Sequence, residues 1–91
     1  MNDFKTVSQH YFTQGQIRKI ENTKLCIAGC GGLGSNIAHM LVRCGFRKFV
    51  LMDYDVVEMK NLNRQFFFPD QEGLLKTDAL VQNLRMINPD I

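Results

Sequence analysis

The chain has 91 residues, 45% hydrophobic and 22% charged, with a net charge of +2, two prolines and three cysteines. That is material for a single globular domain, and a charge this small and scattered implies no nucleic-acid or membrane partner. No apolar run approaches the ~18–20 residues of a membrane helix, and MNDFKTVSQH lacks the basic-then-apolar layout of a secretory signal.

An odd number of cysteines without an export signal points to the reducing cytoplasm. Cys26, Cys30 and Cys44 read as small buried hydrophobes. Neither His10 nor His39 completes a zinc-type cluster with them, so no metal site is expected from the cysteines.

Residues 8–21, SQHYFTQGQIRKIE, carry apolar groups at Tyr11, Phe12, Ile17 and Ile20, a loosely amphipathic helix interrupted by Gly15. Lys24 to Ala28 is a short apolar run ending in glycines, which reads as a buried strand. From Gly34 to Cys44, Ile37, Leu41 and Cys44 share one helical face with Ala38 beside them, and Gly45 supplies a left-handed stop. Lys48 to Asp53, KFVLMD, is a second strand. Strand, helix and strand at this spacing form a Rossmann-like βαβ unit with parallel strands. A polar stretch follows, then Phe66, Phe67 and Phe68, expected to pack in the core or a dimer. Asp70 is a plausible N-cap for a last helix along Thr77, Leu80, Leu84 and Ile87 that Pro89 ends.

Two parallel strands make a poor core alone, because parallel sheets need both faces covered. The fold class is therefore α/β, and the chain is expected to be the N-terminal part of a larger doubly wound domain. The same incomplete sheet predicts an exposed edge that self-association could cover.

Gly29, Gly31 and Gly34 fit G-x-G-x-x-G between strand and helix, with Gly32 beside them. Glycines there allow a tight turn, close approach of a phosphate and snug helix-to-strand packing. The helix N-terminus favours an anion, and Ser35 could donate its hydroxyl to it. No Gly-Lys-Ser/Thr follows, so this is not a Walker loop. Asp53, ending the second strand, suits ribose hydroxyls. A dehydrogenase or an ATP-using enzyme could carry both features.

The segment DYDVVEMKNLNRQFFF and then GLLK separates the two. A hydride-transfer site has no evident need for Asn61, Arg64, Gln65 and Lys76. Attack on the α-phosphate of ATP does, because charge builds on phosphate oxygens as pyrophosphate leaves. Arg64 offers a planar fork and Lys76 a compact point charge.

GCGGLGSNIA, LMDYDVVEMKNLNRQFF, GLLKTDAL and INPDI together resemble the ThiF/MoeB/HesA family, bacterial relatives of the ubiquitin-activating enzymes, over Lys24 to Ile91. Short ThiF proteins of thiamine biosynthesis look most similar. The resemblance implies that residues 1–91 are the N-terminal ATP-binding portion of an adenylation domain. It further implies an ATP- and Mg2+-dependent adenylyltransferase that joins the C-terminal glycine carboxylate of a ubiquitin-like sulfur carrier to AMP, commonly as a homodimer. Carried over by position, Gly29, Gly31, Gly32 and Gly34 cradle ATP and Asp53 holds the ribose. Asn61, Arg64 and Gln65 face the phosphates, Lys76 lies near the reacting α-phosphate, and Asp55 occupies the second acidic position. Many members carry R-Y-x-R-Q near the N-terminus, where this chain has SQHYFTQGQ. The family's magnesium aspartate falls beyond the third strand, outside these residues, so the chain alone is expected to be inactive. An NAD-dependent oxidoreductase half-domain and an inert carrier-binding scaffold are the competing readings.

Overall fold

The computed structural model describes residues 3–91, with side chains from Thr6 onward. Two helices come first, α1 (Asp3–Ser8) and α2 (Gln14–Asn22). The single interrupted helix expected over residues 8–21 is thus two, because a capping box restarts the chain at Thr13. Its Oγ1 accepts from Gln16 N at 3.2 Å, and Gln16 Oε1 accepts from Thr13 N at 2.9 Å. Gly15 lies inside the first turn of α2 and interrupts nothing.

Strand β1 (Lys24–Ala28), helix α3 (Gly32–Arg43) and strand β2 (Lys48–Met52) make the expected βαβ unit. The strands pair in parallel from Lys24 against Lys48 to Ala28 against Met52. Gly45 ends α3 with φ +106°, the left-handed stop foreseen from sequence. The inward face of α3 differs from the expected Ile37, Leu41 and Cys44. Ser35, Ala38 and Val42 are the buried residues, because α3 meets α4 (Lys76–Ile87) on that side.

Between β2 and α4 lie two 3-10 turns, Met59–Asn61 and Pro69–Gln71. Asp70 belongs to the second and does not cap α4. Pro69 opens that turn, Gly73 swings the chain round at φ +86°, and α4 begins only at Lys76, with Leu75 at the N-cap position. Along α4, Leu80 and Leu84 are fully buried as the sequence stripe requires.

The core gathers Ala38 and Val42 from α3, Ala79, Leu80 and Leu84 from α4, and Cys30, Val57 and Phe67 from the connections. Ile27, Phe49 and Leu51 pack against it from one face of the sheet. Of the three phenylalanines Phe67 is buried in the core and Phe66 packs against it. Phe66 stacks on His39 with centroids 4.3 Å apart, and Phe68 is 45% exposed. Cys30 is buried as expected, whereas Cys26 and Cys44 are exposed, since one lies on the outer sheet face and the other beyond the last turn of α3. No helix among the described residues is long and apolar enough to cross a membrane.

Candidate functional site

The site forms where both strands end and the chain turns back over the sheet. Gly29 leaves β1 with φ +97°, a conformation that L side chains rarely adopt, and its N–H donates to Met52 O at 2.7 Å. A Cβ on Gly34 would overlap the Gly29 carbonyl oxygen, so the first turn of α3 sits on the loop only if that residue is glycine. Gly31 is the N-cap of α3 and provides no side-chain cap, so the first amides of the helix remain available to an anion. Ser35, expected to donate to a bound phosphate, is fully buried, and its Oγ accepts from Phe66 N at 3.0 Å instead.

Asp53 closes the other side of the loop. One carboxylate oxygen accepts from Cys30 N at 2.8 Å and the other from Asp55 N at 2.8 Å. Burial pushes the Asp53 pKa upward, but those amide bonds and the Lys76 charge outweigh it and hold the carboxyl below the ordinary carboxylate range. Burial pushes the Cys30 thiol up, with help from the Asp53 charge and against that of Lys76. Each Asp53 oxygen keeps further acceptor capacity for a ligand hydroxyl. Asp55, exposed, does not cap the turn with its own side chain; Asp53 does.

Lys76 reaches the same place through the backbone. Val56 and Leu75 form an antiparallel bridge, and Lys76 N donates to Asp55 O at 2.9 Å. The acidic D-x-D segment and the start of α4 are therefore adjacent although far apart in sequence. Lys76 is 7% exposed, and the ion pairs among the described residues are Arg47–Glu21 and Lys60–Glu58. Among the described residues Lys76 forms no close ion pair, and the carboxylate its charge acts on is Asp53.

Arg64 and Gln65 come in over the glycines on a turn that Asn61 folds. The buried Asn61 accepts from Arg64 N at 3.2 Å and from Gln65 N at 3.0 Å through its carbonyl, folding the segment into a tight turn. The Arg64 side chain passes 3.7 Å from where a Cβ on Gly32 would stand, and Gln65 Nε2 passes 3.8 Å from the same point on Gly31. Arg64 is exposed, with Nη1 donating to Asn63 Oδ1 at 3.0 Å. Gln65 Oε1 is buried without a hydrogen-bond partner. Of the ten residues singled out from the sequence, nine border Gly29–Gly34 or the Asp53–Lys76 junction beside it, and Asn61 is joined to them through its backbone bonds to Arg64 and Gln65.

A glycine loop, the D-x-D turn and an N-L-N-R-Q segment folded onto each other are the features by which the chain was expected to be classified. The ThiF family profile matches residues 6–91. The chain belongs to the ThiF family. Ubiquitin-like modifier-activating enzyme 5 of Oryza sativa subsp. japonica is 53% identical over 73 residues, 80% of this chain and 17% of that protein. Among solved structures, E. coli tRNA N6-threonylcarbamoyladenosine dehydratase TcdA in complex with ATP superposes with a TM-score of 0.86 at 30% identity, over 93% of this chain and 35% of that one. E. coli MccB with ATP gives 0.79 at 36% identity, over 82% and 22%. This ThiF-family chain therefore spans about a sixth of the curated relative and about a third of TcdA.

Two open clefts flank the ThiF-family loop. One, of about 360 Å³, is lined by Gly29, Met52, Asp53, Tyr54 and Asp55. The other, of about 420 Å³, runs along the free edge of β1 past Ile27, Leu33 and Ile37 and carries no charged side chain. Only the first offers carboxylates to a sugar. Sequence reasoning did not single out Asn36, Gln71 or Asn83. Asn36 Nδ2 donates to Arg64 O at 2.7 Å, and Gln71 and Asn83 exchange side-chain hydrogen bonds of 2.7 and 3.0 Å beneath the 64–68 segment. Each polar group bonds a partner distant in sequence, so no local pattern marks it.

Proposed function

We propose that residues 1–91 are the N-terminal ATP-binding portion of an adenylation domain that activates the C-terminal carboxylate of a ubiquitin-like protein. The specific substrate proposed is a ThiS-type sulfur carrier of thiamine biosynthesis, met in the cytoplasm by a homodimer of the complete protein. The observation that carries this reading is Lys76, 7% exposed and in no close ion pair among the described residues, set with Asp53 beside a glycine loop whose helix amides are uncapped. A lysine and the open N-terminus of a helix at one place favour an anionic ligand there.

ATP supplies an activated α-phosphoryl group. The carboxylate oxygen bonds to the α-phosphorus as the bond to pyrophosphate breaks, giving an acyl-adenylate. The chain's residues position and neutralise. Gly29, Gly31, Gly32 and Gly34 let backbone N–H groups approach the phosphates, and Asp53 accepts from ribose hydroxyls. Arg64 spreads its fork over phosphate oxygens with Asn61 and Gln65 beside it, while Lys76 opposes the charge that develops at the α-phosphate. Asp55, at the rim of the 360 Å³ cleft, stands next to Lys76. ATP is used as its magnesium complex in the reaction proposed. The described residues contain no cluster of three or more His, Cys, Asp or Glu to hold a metal, so they do not build a magnesium site and no step here passes through one.

The ATP complexes of the similar TcdA and MccB structures support the nucleotide assignment. The test is calorimetric titration of the full chain with ATP and with NAD. ATP is expected to bind in preference. Lys76→Met is expected to weaken ATP by about tenfold or more while leaving the thermal midpoint unchanged or higher. Preference for NAD, or a Lys76→Met variant that binds ATP like wild type, overturns the reading.

A further inference from the structure

Arg64 has to present its guanidinium to a ligand while the segment that carries it is an irregular loop. Side chains hold the loop backbone at Phe68, where Gln71 Oε1 accepts from the N–H at 3.0 Å, and at three points nearer Arg64. Arg64 O accepts from Asn36 Nδ2 at 2.7 Å, Phe66 N donates to Ser35 Oγ at 3.0 Å, and Phe66 O accepts from Asn83 Nδ2 at 2.9 Å. Ser35 and Asn83 are buried, and their bonds sit at Phe66, beyond the residues that face the loop. Asn36 is different. The same Nδ2 that holds Arg64 O also donates to Gly32 O at 2.5 Å.

A carboxamide nitrogen has two hydrogens, and here each has one carbonyl. Turning the amide over would set its oxygen against two carbonyl oxygens, so chemistry fixes its orientation. One side chain thus bridges the uncapped first turn of α3 to the backbone of Arg64. The Arg64 side chain lies over the same glycine, its Cγ 3.7 Å from where a Cβ on Gly32 would stand.

We infer that Asn36 is a positioning residue of the nucleotide site: it fixes the Arg64 backbone relative to the glycine loop so that the guanidinium meets the phosphates without first being ordered. It touches no reacting atom and acts through Arg64. The inference rests on the ATP reading above and deepens it, adding a residue that follows the loop glycines and to which the family resemblance assigned no role.

A double-mutant cycle on the full chain tests it, with ATP affinity measured by calorimetry for wild type, Asn36→Ala, Arg64→Ala and the double variant. Asn36→Ala is expected to weaken ATP about tenfold with a thermal midpoint close to that of wild type. In the Arg64→Ala background the same change is expected to cost less than about twofold, because the residue it positions is gone. Generalised loosening of α3 would give the same loss in both backgrounds. If Asn36→Ala melts early, Asn36→Leu, which keeps the shape and removes the donor, takes its place. Wild type that binds no ATP overturns the nucleotide reading and this inference together. Wild type that binds, with additive losses or no loss at Asn36, overturns the role of Asn36 alone.

Discussion

The two faces of the small sheet differ sharply in what covers them. Inward, Ile27, Phe49 and Leu51 lie against α3 and α4 and join a continuous core. Outward, the same strands present Cys26, Ala28, Val50 and Met52, all exposed, with Val50 at 42% and Met52 at 49%. The strands themselves, KLCIA and KFVLM, are apolar on both sides, as befits parallel strands that are covered twice. Their composition asks for two covered faces and the fold supplies one. The candidate site residues follow the covered side: the helix with uncapped amides and the helix that begins with Lys76 both contribute to the core. A site made of loops is thereby tied to the most rigid part of the structure.

This contrast can be broken by substitution. The largest effect is expected from Leu84→Ala, which opens a cavity in the covered face and should cost about 2–5 kcal/mol. Met52→Ala should change stability by less than about 0.5 kcal/mol. Urea melts of both compare the faces directly, and a large cost at Met52 would mean that the outer face is covered in solution. A smaller but sharper pair lies in the loop. Gly34→Ala drives a methyl into the Gly29 carbonyl, an unyielding backbone atom, and should cost about 1–3 kcal/mol. Gly32→Ala meets only the flexible Arg64 side chain at ordinary contact and should be near neutral for folding. Equal melts for the two would contradict the loop geometry.

The smallest effect is a pH dependence. Asp53 is held below its ordinary pKa in the fold, so its stabilising contribution is complete above the unfolded value, about 3.9, and is lost as pH falls through the folded one. Asp53→Asn should flatten the acid limb of thermal midpoint against pH below about pH 4. A variant with the wild-type acid limb would show that the amide bonds from Cys30 and Asp55 do not stabilise the carboxylate.

The elements that read clearly from sequence are those with a local cause. β1, α3 and β2 follow from apolar runs, the glycine loop and Gly45. The capping pattern of Thr13 and Gln16 was equally legible and would have placed the start of α2. Asp70 misled because an Asp after Pro resembles a cap, while the true start of α4 has no side-chain cap to read. Cys26 and Cys44 were expected inside because small hydrophobes usually are, and nothing local says which strand face or helix end meets water. In the site, motif spacing brought Asp53, Arg64, Gln65 and Lys76 to attention. The partnership of Gln71 with Asn83, and of Ser35 with Phe66, could not be read, since each joins residues whose nearness only the finished fold creates.

The bond between Lys76 N and Asp55 O has a consequence for how such a chain can change over generations. Residues 56–75 leave and return to one point, like a purse drawn shut at its neck. Insertions or deletions within the purse alter its contents but not the distance between the two residues at the neck, and lengthening a closed loop costs little. The acidic turn and the lysine can stay neighbours while the sequence between them is free to drift in length.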